Sequence, residues 1–321
     1  MAKIYLFCSA EQFHPEVIVK QAILAEEVGF DGVMISEHFH PWVHDEGTSG
    51  FTFSTLGAIA AKTKRINLMT AVTTPLFRYH PGVVAQAAAT IDRLSDGRFE
   101  LGIGSGENIN EKPLGYNFPG YAERSKRLVE AIEIIRRLLN SEGLDFNGEF
   151  YQTNSAKLYS PPSHTVPIFL AAGGAQTAST AVKYCDGMIV SVKDVNETKE
   201  ILKTISPTKA SSFKIIASRW SIYAQTDEQA WQALLPQRGL RAPSRGTAGP
   251  KELQREADSM PKSDILSKYH RLKTPEDYIS AYSPLITDIK ADVVGIQTTS
   301  LDQPRTIKML GREVLPKLTK L

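Results

Sequence analysis

Glu37, His38, His40 and Trp42 fall within one short stretch, Glu37-His38-Phe39-His40-Pro41-Trp42, directly after the apolar run Gly32-Val33-Met34-Ile35. A carboxylate, two imidazoles, two aromatics and a proline thus gather within six residues. An apolar run bounded by turn formers reads as a buried strand, so these groups form a polar, aromatic-rich loop at its C-terminal end. Many α/β enzymes keep their chemistry at such strand ends.

His38, His40 and His44 also have a spacing that suits a metal, and a metal-dependent barrel hydrolase is the competing class. Such a centre needs further ligands at later strand ends. Glu107 follows the fourth strand, but the fifth and sixth strands are followed by no histidine. No Gly-x-Ser-x-Gly elbow is present. Gly102-Ile103-Gly104-Ser105-Gly106 lacks both the dinucleotide spacing and a P-loop Lys-Ser/Thr. Its glycines either permit a sharp turn or let a flat ligand lie against backbone N–H groups, and Gly173-Gly174 repeats the pattern before a helix start.

The elements that must position these residues alternate regularly. Strands are expected at 3–7, 32–36, 66–70, 99–104, 168–172, 187–191, 214–224 and 292–298. Helices are expected at 15–28, 53–62, 81–94, 121–139, 176–183, 196–205, 227–235 and 304–318, with a hairpin around Asn147-Gly148. Seven or eight βα units imply a parallel sheet with crossover helices. With no dinucleotide fingerprint after the first strand, the closed (β/α)8 TIM barrel is the expected fold, as one domain over 1–321. Residues 236–272, rich in Pro, Gly, Arg and Lys, read as a segment inserted over the C-terminal face and carrying a short helix at 251–259. All the strand ends then meet on one face.

At 321 residues, with 42% hydrophobic and 22% charged side chains, the chain can bury a large core. A net charge of +2, from 37 basic and 35 acidic residues, argues against nucleic-acid or membrane-surface partners. No apolar run approaches a membrane span, so the cytoplasm is the expected location. Cys8 and Cys185 read as small buried hydrophobes.

Four strand-end segments taken together carry a family resemblance: Ser9-Ala10-Glu11-Gln12-Phe13, Glu37 to Trp42, Thr74-Pro75-Leu76-Phe77-Arg78-Tyr79, and Gly104-Ser105-Gly106-Glu107-Asn108-Ile109-Asn110-Glu111. Over roughly residues 4–191 the chain resembles the luciferase-like flavin/deazaflavin oxidoreductases. Within them it is most similar to deazaflavin-dependent glucose-6-phosphate dehydrogenases and secondary-alcohol dehydrogenases. The resemblance implies coenzyme F420, alcohol oxidation with hydride transfer to ring carbon 5, His38 as base, Glu107 as partner acid (or the reverse), and Trp42 screening the reacting centre. Glu11 would support the substrate site. Cofactor contacts would come from Glu37, Thr74, Ser105, Gly106, Asn110, Gly173, Gly174, Gln176 and Thr177, with a non-prolyl cis peptide near Ala71-Val72. The family's phosphate pocket would map onto Lys193, Arg245 and Lys268. Arg238, Arg241, Arg245 and Lys268 read equally well as a solvated lid surface. Glu37 stands where the sugar-phosphate enzymes carry Asp, and Val190 where they carry a hydroxyl. An FMN-dependent monooxygenase of the same superfamily is the alternative. A homodimer is the expected assembly.

Overall fold

The computed structural model describes residues 1–206, 208 and 210–321. Eight parallel strands form the central sheet: β1 (Lys3–Cys8), β2 (Gly32–Ile35), β3 (Asn67–Thr70), β4 (Phe99–Ile103), β5 (Ile168–Ala171), β6 (Gly187–Ser191), β7 (Lys214–Tyr223) and β8 (Val293–Thr299). Each pairs with the next in chain order, and β8 pairs with β1, which closes the barrel. The protein is thus a (β/α)8 TIM barrel, as its alternating pattern predicts.

Alternation along each strand sorts side chains into two layers. Tyr5, Met34, Met69, Phe169, Ile189, Ile216 and Val293 fill the barrel interior. Their neighbours Ile4, Leu6, Val33, Ile35, Leu68 and Leu170 point outward into the layer under the helices. Both faces are buried, which is why the strands read as continuous apolar runs. Cys8 and Cys185 are free, and burial pushes both thiols up to about 12, so both stay protonated near neutrality.

Helix ends follow their sequence signals. The helix Pro15–Val28 stops at Gly29, whose φ of 98° is readily adopted only by glycine. A helix at Pro275–Thr287, absent from the sequence reading, begins at a capping box formed by Thr274 and Asp277. That signal was present, since Thr-x-x-Asp with Pro at the first turn marks a helix start. The hairpin forms as expected, with strands at Leu144–Asn147 and Gln152–Ala156 and a turn slightly later than Asn147-Gly148. Among the described residues, no helix is long and apolar enough to cross a membrane.

His80 caps the helix Pro81–Ser95: Gly82 N–H donates to its Nδ1 at 3.0 Å, which requires an unprotonated nitrogen. Burial holds the imidazole below its ordinary value of 6.5. A depressed folded value means the cap is fully present above the unfolded pKa and is lost as pH falls through the folded one. His80→Ala is therefore expected to cost about 0.5–1 kcal/mol at pH 8 and progressively less toward pH 5. Urea unfolding of both proteins at the two pH values measures this.

The segment 236–272 folds as a 3-10 helix (Leu235–Arg241), helices at Pro250–Ser259 and Lys262–Leu266, and a short strand His270–Leu272. That strand pairs in parallel alongside the end of β7, at Ser221–Tyr223. Arg238 is not a solvated lid residue. Its side chain is 3% exposed and donates to Glu46 and Asp258 at 2.7 and 2.6 Å. One guanidinium therefore ties the inserted segment to the loop after β2.

Candidate active site

The strand ends enclose a cavity of about 590 Å³ at the C-terminal mouth of the barrel. That volume suits a small ligand or part of a larger one. The four motif loops quoted from the sequence all contribute to its wall, with the inserted segment closing one side.

His38 is the centre of the chemistry. Its Nδ1 lies 3.3 Å from the His40 carbonyl. A carbonyl only accepts, so in the neutral ring Nδ1 carries the hydrogen and Nε2 keeps its lone pair. Nε2 faces two carboxylates, 3.4 Å from Glu107 Oε2 and 3.7 Å from Glu11 Oε1. Glu11 is 3% exposed and held in place by Ser36, whose hydroxyl donates to Oε2 at 2.7 Å while accepting from Ala10 N–H at 2.9 Å. Trp42 is 4% exposed and packs edge-on to the His38 ring at 4.9 Å. Arg245 reaches over from the inserted segment, its guanidinium 5.0 Å above the Trp42 ring and bonded to Glu107 Oε1. Nε2 is thus the free ring nitrogen on the cavity wall, which places His38 to act as a base.

Glu37 lines the same cavity, but its oxygens are already engaged. Oε2 accepts from Thr73 at 3.0 Å and from Arg78 Nη2 at 2.5 Å, and Oε1 accepts from Tyr79 at 3.2 Å. Arg78 also binds Glu111, so one guanidinium serves two carboxylates, all of them at most 3% exposed. Burial opposes the Arg78 charge, but Glu37 and Glu111 outweigh it and raise its pKa. Glu111, sharing one cation with a second carboxylate, is pushed up by burial more than Arg78 lowers it. Burial and Glu37 push the Tyr79 phenol up to about 12. The expected cofactor contact at Glu37 is therefore first a buried ion-pair network that braces the wall.

Another part of the wall is bare backbone and small side chains. A Cβ at Gly104 would strike Val72 at 2.8 Å. At Gly106, with φ 82°, it would strike Thr74 at 2.9 Å. A Cβ at Gly173 would meet nothing within 4 Å, so that backbone fronts open space in the cavity. The peptide between Ala71 and Val72 is cis, as the resemblance implies, and both residues line the cavity. A flat ring bordered by peptide groups fits this surface. Asn110 closes the corner, its Oδ1 accepting from Phe39 and His40 N–H at 2.9 and 3.3 Å.

Of the residues singled out from sequence, His38, Glu107, Trp42, Glu11, Glu37, Thr74, Ser105, Gly106, Asn110, Gly173, Lys193 and Arg245 line this one cavity. Gly174, Gln176, Thr177 and Lys268 do not. The first three form the start of the helix Ala175–Tyr184, where the Thr177 hydroxyl bonds Tyr121 at 2.5 Å. Lys268 is exposed and donates to the Arg241 carbonyl at 3.3 Å. Arg241, which the sequence suggests only as part of a solvated lid surface, lines the wall as well. Trp220 and Gln237 line it too and carry no local sequence signal. His40 stacks on Phe39, and His44 is exposed, its N–H donating to Gln254 at 2.8 Å. Among the described residues, no group of three His, Cys, Asp or Glu is arranged to hold a metal, so the hydrolase reading lacks a ligand set.

Residues 3–283 match the family described as luciferase-like monooxygenase. An F420-dependent glucose-6-phosphate dehydrogenase of Nakamurella multipartita is 34% identical, over 98% of this chain and 95% of its own. An F420-dependent hydroxymycolic acid dehydrogenase of Mycobacterium tuberculosis is 35% identical, over 97% of this chain and 86% of its own. Among solved structures, an F420-dependent secondary alcohol dehydrogenase in complex with an F420-acetone adduct superposes with a TM-score of 0.88 at 28% identity, covering 99% of each chain. With the barrel, the glycine-lined wall and the histidine between two carboxylates in place, these matches establish that the chain belongs to the luciferase-like family, among its F420-dependent dehydrogenases.

Proposed function

We propose that this enzyme binds F420 and oxidises a CH–OH group, with a sugar phosphate of the glucose-6-phosphate type as substrate. The observation that carries this reading is His38 Nε2, poised between Glu107 and Glu11, edge-on to Trp42 and in one cavity with the glycine-lined wall. Bound F420 supplies the hydride-accepting carbon 5 of its ring. His38 takes the hydroxyl proton at Nε2, and general bases of this kind contribute about 10²–10⁴-fold. Glu11, fixed by Ser36, stabilises the imidazolium that results. Glu107, steered by Arg245, holds a proton near the ring. Trp42 keeps water from the reacting atoms. The N-terminal turn at Gly174, Gln176 and Thr177 offers backbone N–H groups to an anionic part of the cofactor.

Lys193, on the loop after β6, and Arg241 bring positive charge to the cavity wall and would hold a phosphate. A cytoplasmic homodimer belongs to the same proposal, and sedimentation equilibrium reads the assembly.

The test is F420 reduction, followed by loss of its absorbance, with glucose 6-phosphate, other sugar phosphates and isopropanol. Lys193→Glu is expected to lower kcat/KM for the phosphate ester about 10–100-fold relative to an uncharged alcohol. Equal effects on both would remove the phosphate from the proposal. Tight FMN binding with no F420 binding would replace this reading with a flavin monooxygenase.

A further inference from the structure

The loop that carries His38 has no helix or strand of its own between Ser36 and Gly50. Side chains, and not a backbone ladder, therefore hold its shape. Thr52 donates to the Ser36 carbonyl at 2.7 Å and Ser49 to the His38 carbonyl at 2.5 Å. Gln254 accepts from the His44 and Asp45 N–H groups at 2.8 and 3.0 Å. At the turn from His38 to His40 the clamp is Asn110. Its Oδ1 accepts from Phe39 N–H at 2.9 Å and from His40 N–H at 3.3 Å. Both partners are donors, so the amide meets them with its oxygen.

Asn110 is itself held. It is 4% exposed and lies on the four-residue helix Asn108–Glu111, where its N–H donates to the Glu107 carbonyl at 3.0 Å. The next residue, Glu111, is buried and bonded to Arg78. One short helix, with Glu107 at its cap, thus carries both the carboxylate that faces His38 Nε2 and the amide that grips the peptides after His38.

That grip has a chemical consequence. The gripped N–H groups belong to the same turn as the His40 carbonyl, and that carbonyl lies 3.3 Å from His38 Nδ1. The tautomer of a neutral imidazole is set by the hydrogen bond its other nitrogen makes. A hydrogen on Nδ1 leaves the lone pair on Nε2, toward Glu107 and Glu11. A hydrogen on Nε2 would set the Nδ1 lone pair against a carbonyl oxygen and leave no base in place.

We propose that Asn110 is a positioning residue for the base: it holds the His38–His40 turn so that the His40 carbonyl keeps the His38 hydrogen on Nδ1 and the lone pair on Nε2. Its effect on rate rests on the dehydrogenase reading above, whereas the tautomer is a property of the protein alone. A cofactor contact at Asn110 would act on F420 affinity and not on the ring.

Nitrogen NMR of histidine-labelled enzyme reads the tautomer, with the His38 signals identified by their absence from His38→Ala. Wild type, Asn110→Leu, Asn110→Ala and Asn110→Asp are compared at pH 8. Leucine matches the amide in size without its acceptor, and aspartate keeps an acceptor oxygen. The wild type is expected to show the Nδ1–H tautomer. In Asn110→Leu and Asn110→Ala the ratio should move toward Nε2–H by about 3–10-fold, the worth of one hydrogen bond, and Asn110→Asp should restore it. Single-turnover F420 reduction should slow about 10–100-fold in the first two variants and recover to within about 5-fold in Asn110→Asp, with F420 affinity changed less than about 3-fold throughout. Thermal melting checks folding, and Asn110→Ala reads the proposal should Asn110→Leu pack badly. An Nε2–H tautomer in the wild type, or an Nδ1–H tautomer unchanged in Asn110→Leu and Asn110→Ala, overturns the proposal. So does a loss confined to F420 affinity. An Asn110-dependent tautomer in a protein that reduces F420 with no alcohol would support the positioning role and overturn the dehydrogenase reading.

Discussion

His38→Ala is expected to lower kcat for F420 reduction about 10²–10⁴-fold while F420 affinity changes only a few-fold. The size of the loss follows from what the side chain does at Nε2. Glu107 and Glu11 lie 3.4 and 3.7 Å from Nε2, but Arg245 and Ser36 already engage the other oxygen of each and hold them away from its place. With the imidazole removed, water enters the gap beside Trp42 and serves as a weak, unoriented base. Rapid-mixing single-turnover measurement separates the hydride step from product release. A decrease of less than about 3-fold in that step would dismiss His38 as the base. Glu11→Gln should give a smaller decrease in the same step, because the amide keeps the hydrogen-bonding geometry around Ser36 but not the charge that stabilises the imidazolium.

Arg78→Met is expected to destabilise the fold by about 3–5 kcal/mol, the largest stability effect at the site. Arg78 is the cation bonded to both Glu37 and Glu111, and all three side chains are at most 3% exposed. Methionine fills the space but leaves two like charges facing each other out of water. The defect should depend on pH in a direction set by Glu111, whose folded pKa already lies above the ordinary carboxylate value through burial, with Arg78 only partly opposing it. A carboxylate with a raised folded pKa binds its proton more tightly in the folded state, so acid relieves the penalty and alkali keeps it. Urea unfolding should therefore show a larger deficit at pH 8 than at pH 5. Adding Glu37→Gln and Glu111→Gln to Arg78→Met should recover most of the loss, since three neutral groups replace two stranded charges. An Arg78→Met protein as stable as the wild type at pH 8 would contradict the bracing role assigned to the network.

The barrel was legible because its signal is periodic and local. Buried parallel strands are short apolar runs, crossover helices carry apolar residues at helical spacing, and each unit repeats the last. The helix Pro275–Thr287 was legible too, through Thr274 and Asp277, though it escaped the sequence reading. At the site, Glu11, His38, Trp42 and Glu107 could be named because each follows a strand at the same end. What their types could not disclose was pairing. Glu37 and Glu107 look alike in sequence, both carboxylates just after a strand. Arg78 takes the first into a buried network, and Arg245 turns the second toward His38.

Sequence alone therefore determined the alternation of strands and helices, the end of the barrel that carries the chemistry, and the kinds of groups gathered there. These depend on neighbours a few residues apart. Only the tertiary structure decided which acid meets which base, that Arg238 is a buried tie and not a lid charge, and that Gln237 and Trp220 line the same cavity as His38. Those facts depend on contacts between segments up to about two hundred residues apart, as between Arg238 and Glu46. No local pattern encodes the charge or hydrogen-bond partner that such a distant segment brings.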